Sequence, residues 1–348
     1  MQVACENCAK SYNLPDDRLP KGKLVTFPCP SCKSKITLDL RQNESLGNTN
    51  RLIFKPLDHV EEKSLDYDDL KKKIIKRVDD LPPMPKVMIK AREIMADPNS
   101  SFKEIAQVIE TDQAIAARVL KIANSAYYGL SGMVSSIHQA TVVLGYKTLE
   151  QVITMVSSSS MLGKQLKGYK LNAGVLWKHS LATALASRAI AQKRAPSMES
   201  DAFSVGLIHD AGKLALDPYV ASKRKELEAF MASGTQSVSF VSAEKQVLGF
   251  DHSEIALELC KKWKLPETHA VAMRFHHFPN ESGNNQLAYI VYVANYIARL
   301  AGHGCGLPDE ENAFDPKSLE TLRLKQEDVE NIAVEVTSAV EDIIASIN

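Results

Sequence analysis

From residue 66 onward, apolar residues recur with a period near 3.6, the spacing that lines one face of an α-helix. Leu70, Ile74 and Val78 fall four apart, and the adjoining Lys71-Lys72-Lys73 reads as a solvated face rather than a phosphate contact. Leu81-Pro82-Pro83-Met84-Pro85 stops that helix, because proline has no backbone donor. Helical patterns resume over 87–95, 102–110 and 114–123, with Asp97-Pro98-Asn99-Ser100 as a breaker. They continue over 137–144, 148–157 and 176–193, and again from His252 through Ile255, Leu259 and Trp263. The last spans 326–347 and carries Val329, Ile332, Val336 and Val340 on one face, which predicts docking on its own core; a helix-mediated homodimer is the alternative.

The first 40 residues follow another pattern. Short strands are predicted over 11–14, 23–27 and 35–38, threaded between Cys5-Glu6-Asn7-Cys8 and Cys29-Pro30-Ser31-Cys32. Two Cys-x-x-Cys turns separated by 20 residues can present four thiolates tetrahedrally, so Cys5, Cys8, Cys29 and Cys32 are expected to hold Zn2+. In a segment this short, the ion's binding energy becomes folding energy. With Tyr12 shortly after the first turn, the segment resembles the small bacterial zinc ribbons at the N-termini of regulatory proteins. Such a scaffold suits a structural knob, a protein-docking module or a nucleic-acid reader. The polar run from 41 to 65 reads as a linker.

Composition narrows the classes. With 348 residues, 45% of them hydrophobic, the chain can fill a large core. Lys plus Arg and Asp plus Glu stand at 42 each, so no global basic surplus draws in nucleic acid or an anionic membrane. Binding of nucleic acid through the lysines of the ribbon is the weaker option, since Glu6, Asp16, Asp17 and Asp39 offset them. No run approaches 18 apolar residues, and Met1-Gln2-Val3-Ala4-Cys5 is not an export signal, which predicts a cytoplasmic protein with no membrane segment. Cys260 and Cys305 are then free thiols.

Candidate chemistry centres on Gly206-Leu207-Ile208-His209-Asp210-Ala211-Gly212-Lys213. Phe203, Leu207, Asp210 and Leu214 share one helical stripe, so Asp210 is expected in the core. An unpaired charge there would cost several kcal/mol, roughly, so a metal, a cation or a raised pKa must compensate. Lys213 is the cation at hand. The metal alternative draws on His179, His209, His252, His276 and His277, with His59, His138, His269 and His303 outside the set. Imidazoles with a carboxylate suit Zn, Fe, Mn or Ni. Two adjacent helical residues point about 100° apart, so at most one of His276 and His277 is expected to face a given ion. His252, at a helix start, reads equally as a ligand or as a solvated turn residue.

The order His179, His209-Asp210, His252, His276-His277 resembles the HD superfamily of metal-dependent phosphohydrolases. In that family a later aspartate closes the site, and the matching place holds Asn295, a neutral and poorer ligand. The Gly-Tyr-Pro signature of the branch that cleaves cyclic dinucleotides is absent. Leu81-Pro82-Pro83-Met84-Pro85, the stretch 109–126 ending in Leu120-Lys121-Ile122-Ala123-Asn124-Ser125-Ala126, and Ser136-Ile137-His138-Gln139-Ala140 before Leu144-Gly145 resemble the HDOD family of bacterial signalling output domains. Those domains are all-helical, often lack the HD ligands and act by binding partners.

Together these readings predict a mainly all-α chain of HD/HDOD type with a small N-terminal β zinc ribbon. The expected divisions are 1–40 ribbon, 41–65 linker and 66–348 helical domain, itself split at 165 and 300. The expected function is a signalling or regulatory protein that binds a protein partner or small ligand. The alternative is a metal-dependent phosphohydrolase acting on a nucleotide or other phosphoester, in which Asp210 and Lys213 would be catalytic.

Overall fold

The computed structural model describes residues 2–4, 11–13, 24–28, 35–39, 69, 70, 73, 74 and 76–78, and residues 86–347 apart from 98, 131, 234–238 and 306–313. The chain divides into a unit Met1–Asp58 and a unit His59–Asn348. The first contains two antiparallel pairs: β1 (Gln2–Ala4) with β2 (Ser11–Asn13), and β3 (Leu24–Pro28) with β4 (Lys35–Asp39). Three of these match the predicted strands, and β1 is additional. The four cysteines, the linker 41–65 and the proline breaker 81–85 lie outside the described residues.

The second unit is helical. Its helices are α1 (Lys86–Ala96), α2 (Phe102–Glu110), α3 (Gln113–Ala123), α4 (Ile137–Leu162), α5 (Val175–Arg194), α6 (Glu199–Ile208) and α7 (Gly212–Ser222). There follow α8 (Arg224–Ser233), α9 (Phe240–Leu248), α10 (His252–Lys262), α11 (Glu267–Arg274), α12 (Gln286–Leu300), α13 (Lys317–Leu322) and α14 (Gln326–Ile347). One apolar core runs through them, from Ile74 and Val78 to Ile343. Several starts are set by side chains that satisfy the first free N–H groups. Ser101 and Glu104 form a capping box on α2, Asp112 caps α3, and Asp251 and Glu254 form a second box on α10.

The two helices predicted over 137–144 and 148–157 are both present within α4 and meet at a kink at Gly145, whose φ of 72° and ψ of 168° are not helical and which glycine enters without a Cβ penalty. The stripe Phe203, Leu207, Asp210, Leu214 is conversely not one helix. Residues 209–211 form a turn between α6 and α7, although all four stripe positions are buried as expected.

Two glycines bring the site elements into contact. A Cβ on Gly206 would lie 2.9 Å from the Ala184 Cα, so α6 crosses α5 backbone to backbone. A Cβ on Gly212 would lie 1.9 Å from the His252 carbonyl oxygen, so the start of α7 abuts the start of α10. Helix α12, with Asn295, packs along α5. The predicted face of α14 is buried against α5, α3 and α12, as expected of a helix docked on its own core.

Candidate metal centre

His209 and Asp210 sit in the α6–α7 turn, His179 on α5, and His252 on the first residue of α10. All are at most 1% exposed, as is His276, while His277 is half-buried. The imidazoles meet around one carboxylate. His179 Nε2 and His209 Nε2 lie 3.6 and 3.5 Å from Asp210 Oδ2. On the other side, His252 Nε2 and His276 Nε2 lie 3.2 and 3.7 Å from Oδ1. His277 Nε2 is 2.9 Å from His252 Nε2.

Two groups therefore share Asp210: His179 and His209 in one, and His252, His276 and His277 in the other, each with ligand atoms within 4.8 Å of one another. The expectation that only one of His276 and His277 could face an ion is incorrect. Helix α11 ends at Arg274, the backbone beyond it is not helical, and the two rings stand 4.0 Å apart in the same group. The solvated alternative for His252 is also excluded by its burial.

Four rings are oriented from behind. Nδ1 of His179, His209 and His276 lies 2.7–2.8 Å from the carbonyls of His303, Gly206 and Met273, and can only donate to them. Nδ1 of His252 lies 2.7 Å from Glu244 Oε2. With Nδ1 committed, Nε2 is the atom turned toward Asp210, as in histidines that bind metal. His209 Nε2 and His276 Nε2 have no hydrogen-bond partner among the described residues, nor does the Asn295 Oδ1, while Asp210 Oδ1 faces His252 Nε2 at 3.2 Å. Each buried polar atom left this way costs about 1–3 kcal/mol, and a divalent cation among these groups would satisfy the two imidazole nitrogens at once. The residues fit such an ion.

Positive charge is also supplied by the protein. Lys213, buried on the first turn of α7, places Nζ 2.7 Å from Asp210 Oδ2. Burial works to raise the Asp210 carboxyl, but Lys213, His209 and His252 outweigh it and hold the group well below the usual carboxylate range. Burial works to lower His252, yet the Glu244 carboxylate and Asp210 outweigh it and lift the ring to about 10. Burial pushes His209, His276 and His277 below the ordinary imidazole value.

The sequence reading missed three contributors: Glu244, Tyr169 and the His303 carbonyl. Glu244 was findable, since Phe240, Glu244 and Leu248 stand four apart on the buried stripe of α9, the same signal that marks Asp210. A backbone carbonyl carries no sequence signal.

Comparison with known proteins agrees with this architecture. The model of the HDOD domain matches residues 81–279. A curated relative, an uncharacterized protein of Treponema pallidum (strain Nichols), is 24% identical over 208 residues, covering 59% of this chain and 39% of the relative. An HDOD domain protein of unknown function from Geobacter sulfurreducens superposes with a TM-score of 0.66 at 23% identity, over 82% of this chain and 98% of that one. A proposed phosphohydrolase from Shewanella amazonensis SB2B gives 0.59 at 24%, over 79% and 98%. A proposed signal transduction protein from Marinobacter aquaeolei VT8 gives 0.60 at 21%, over 81% and 65%. At such identities the structural likeness is one of fold. No helix among the described residues is long and apolar enough to cross a membrane. The chain belongs to the HDOD domain family.

Proposed function

We propose that this chain is a cytoplasmic signalling or regulatory protein whose HDOD domain binds a partner protein or small ligand and retains a divalent metal centre around Asp210. The observation that carries the reading is the closure of the cluster. Asp210, His179, His209, His252 and His276 are at most 1% exposed, and Lys213 already occupies one oxygen of the central carboxylate. Asn295 adds an amide where a hydrolase of the HD type has a carboxylate. Such a centre is suited to holding a conformation that a partner reads. The four cysteines hold Zn2+ and give the N-terminal unit a docking role.

A second reading, metal-dependent phosphohydrolase, is favoured by one feature: the imidazoles divide between the two oxygens of Asp210, two on each side, an arrangement in which one carboxylate serves two adjacent ions. A bound divalent ion supplies Lewis acidity and lowers the pKa of a water molecule. In that reading Asp210 and Lys213 belong to the catalytic machinery, Lys213 offering its charge to a phosphoester oxygen. Half-buried His277 marks the accessible side.

The deciding experiment measures metal per chain, alongside turnover of a phosphoester panel, for wild type and His209→Ala/Asp210→Ala. Metal beyond the cysteine-bound zinc that disappears in the variant, with no turnover in either protein, supports the regulatory reading. Turnover abolished by Asp210→Ala transfers the assignment to the hydrolase.

A further inference from the structure

Glu244 is fully buried on α9, and the functions above make no use of it. Both its oxygens are engaged. Oε1 accepts from the Tyr169 hydroxyl at 2.5 Å, and Oε2 accepts from the His252 backbone N–H at 3.0 Å and faces Nδ1 of the same residue at 2.7 Å. Among the described residues its one ion-pair partner is the His252 ring. Tyr169, 1% exposed, is delivered by the turn between α4 and α5. That turn is pinned where Gly168 N–H donates to Asp217 Oδ1 at 2.8 Å and Arg224 Nη1 donates to the Gly168 carbonyl at 2.8 Å.

We infer that Glu244, clamped by Tyr169, is a positioning residue of the metal centre: through His252 it supplies a negative charge beside that of Asp210. The inference rests on the metal-centre reading above. Its ground is a contrast in what the rings lean on. His179, His209 and His276 give Nδ1–H to peptide carbonyls, which orient a ring but carry no net charge. His252 alone among these four is backed by a carboxylate. A carboxylate behind Nδ1–H makes Nε2 a more basic donor, and it offsets cationic charge one ring away. The Asp210–His252–Glu244–Tyr169 chain is continuous from the centre to the pinned turn.

The test is a calorimetric Mn2+ titration of the full chain, with its cysteines kept zinc-loaded, for wild type, Glu244→Gln, Tyr169→Phe and Asp210→Ala. Glutamine keeps the shape and, through its one oxygen, an acceptor for Nδ1–H; its NH2 then donates to the Tyr169 hydroxyl, and the negative charge is gone. Mn2+ affinity is expected to fall about 10-fold or more in Glu244→Gln, and by a smaller factor in Tyr169→Phe. A Glu244 that merely fills space would lower the unfolding temperature and leave the affinity unmoved, so both are measured. If Glu244→Gln does not fold, Tyr169→Phe and Glu244→Asp carry the test. Wild-type affinity in folded Glu244→Gln, or in both substitutes where they are needed, overturns the inference and leaves the metal centre standing. A wild type that takes up no more Mn2+ than Asp210→Ala overturns the metal-centre reading and this one with it.

Discussion

The helices α1–α4 and the helices α5–α12 are built from similar apolar stripes but bury different polar groups. In α1–α4 most buried hydroxyls answer to local backbone: Thr154 and Ser158 donate to the carbonyls of Glu150 and Met155, Thr141 to that of His138, while Ser157 Oγ has no partner among the described residues. Nothing there would suffer from losing an ion. In α5–α12 the interior holds Asp210, Lys213, Glu244 and five histidines, most of whose partners come from separate elements. Buried charge of this kind is stable only while every member is matched. The first region is a support whose stability is packing, and the second is a cluster whose stability depends on how its buried charges are matched.

That contrast can be broken by experiment. The largest effect is expected from Asp210→Ala, which leaves the Lys213 ammonium buried without its carboxylate. Equilibrium unfolding should show a loss of about 3–5 kcal/mol, together with loss of the non-cysteine metal. Comparable destabilisation in the supporting helices should come from Ile105→Ala, a fully buried core truncation, at about 3 kcal/mol, but metal content should not change. Metal lost on Ile105→Ala would erase the distinction between the two regions.

A smaller effect is expected from Gly212→Ala. The added methyl meets the His252 carbonyl, and overpacking of this kind costs about 1–3 kcal/mol. Mn2+ affinity should fall as well, because His252 is displaced, and an affinity equal to wild type would show that α10 can shift without moving its ring.

The smallest concerns Asp328 on α14, held down to about 2 by the Lys325 N–H and by Lys193. A carboxyl lowered on folding contributes stability that is complete above its unfolded value, near 4, and is lost as pH falls toward 2. Asp328→Asn should therefore cost at most about 0.5 kcal/mol at pH 7, and the difference from wild type should vanish near pH 2.

Much of this was legible in the residues. The boundaries of α2 and α14, the burial of the α14 face and the gathering of His179, His209, Asp210, His252, His276 and His277 follow from periodicity and from the family resemblance. What escaped has physical reasons. The break between α6 and α7 carries no proline, its His209-Asp210 pair reads as site chemistry, and residues 209 and 211 keep near-helical backbone angles on either side of Asp210. The joint approach of His276 and His277 depends on where α11 ends, and no glycine or proline announces that end. The clamp on His179 is a carbonyl 124 residues away, which side-chain chemistry does not encode.

The glycines at 206 and 212 bear on how other chains of this family should be sorted. Both exclude a Cβ by backbone contact, irrespective of what Asp210 holds. A related protein that has abandoned the metal but kept the helical frame is free to replace its histidines and still needs both glycines. Their presence marks inheritance of the architecture, and only the side chains between and around them report whether the chemistry came along.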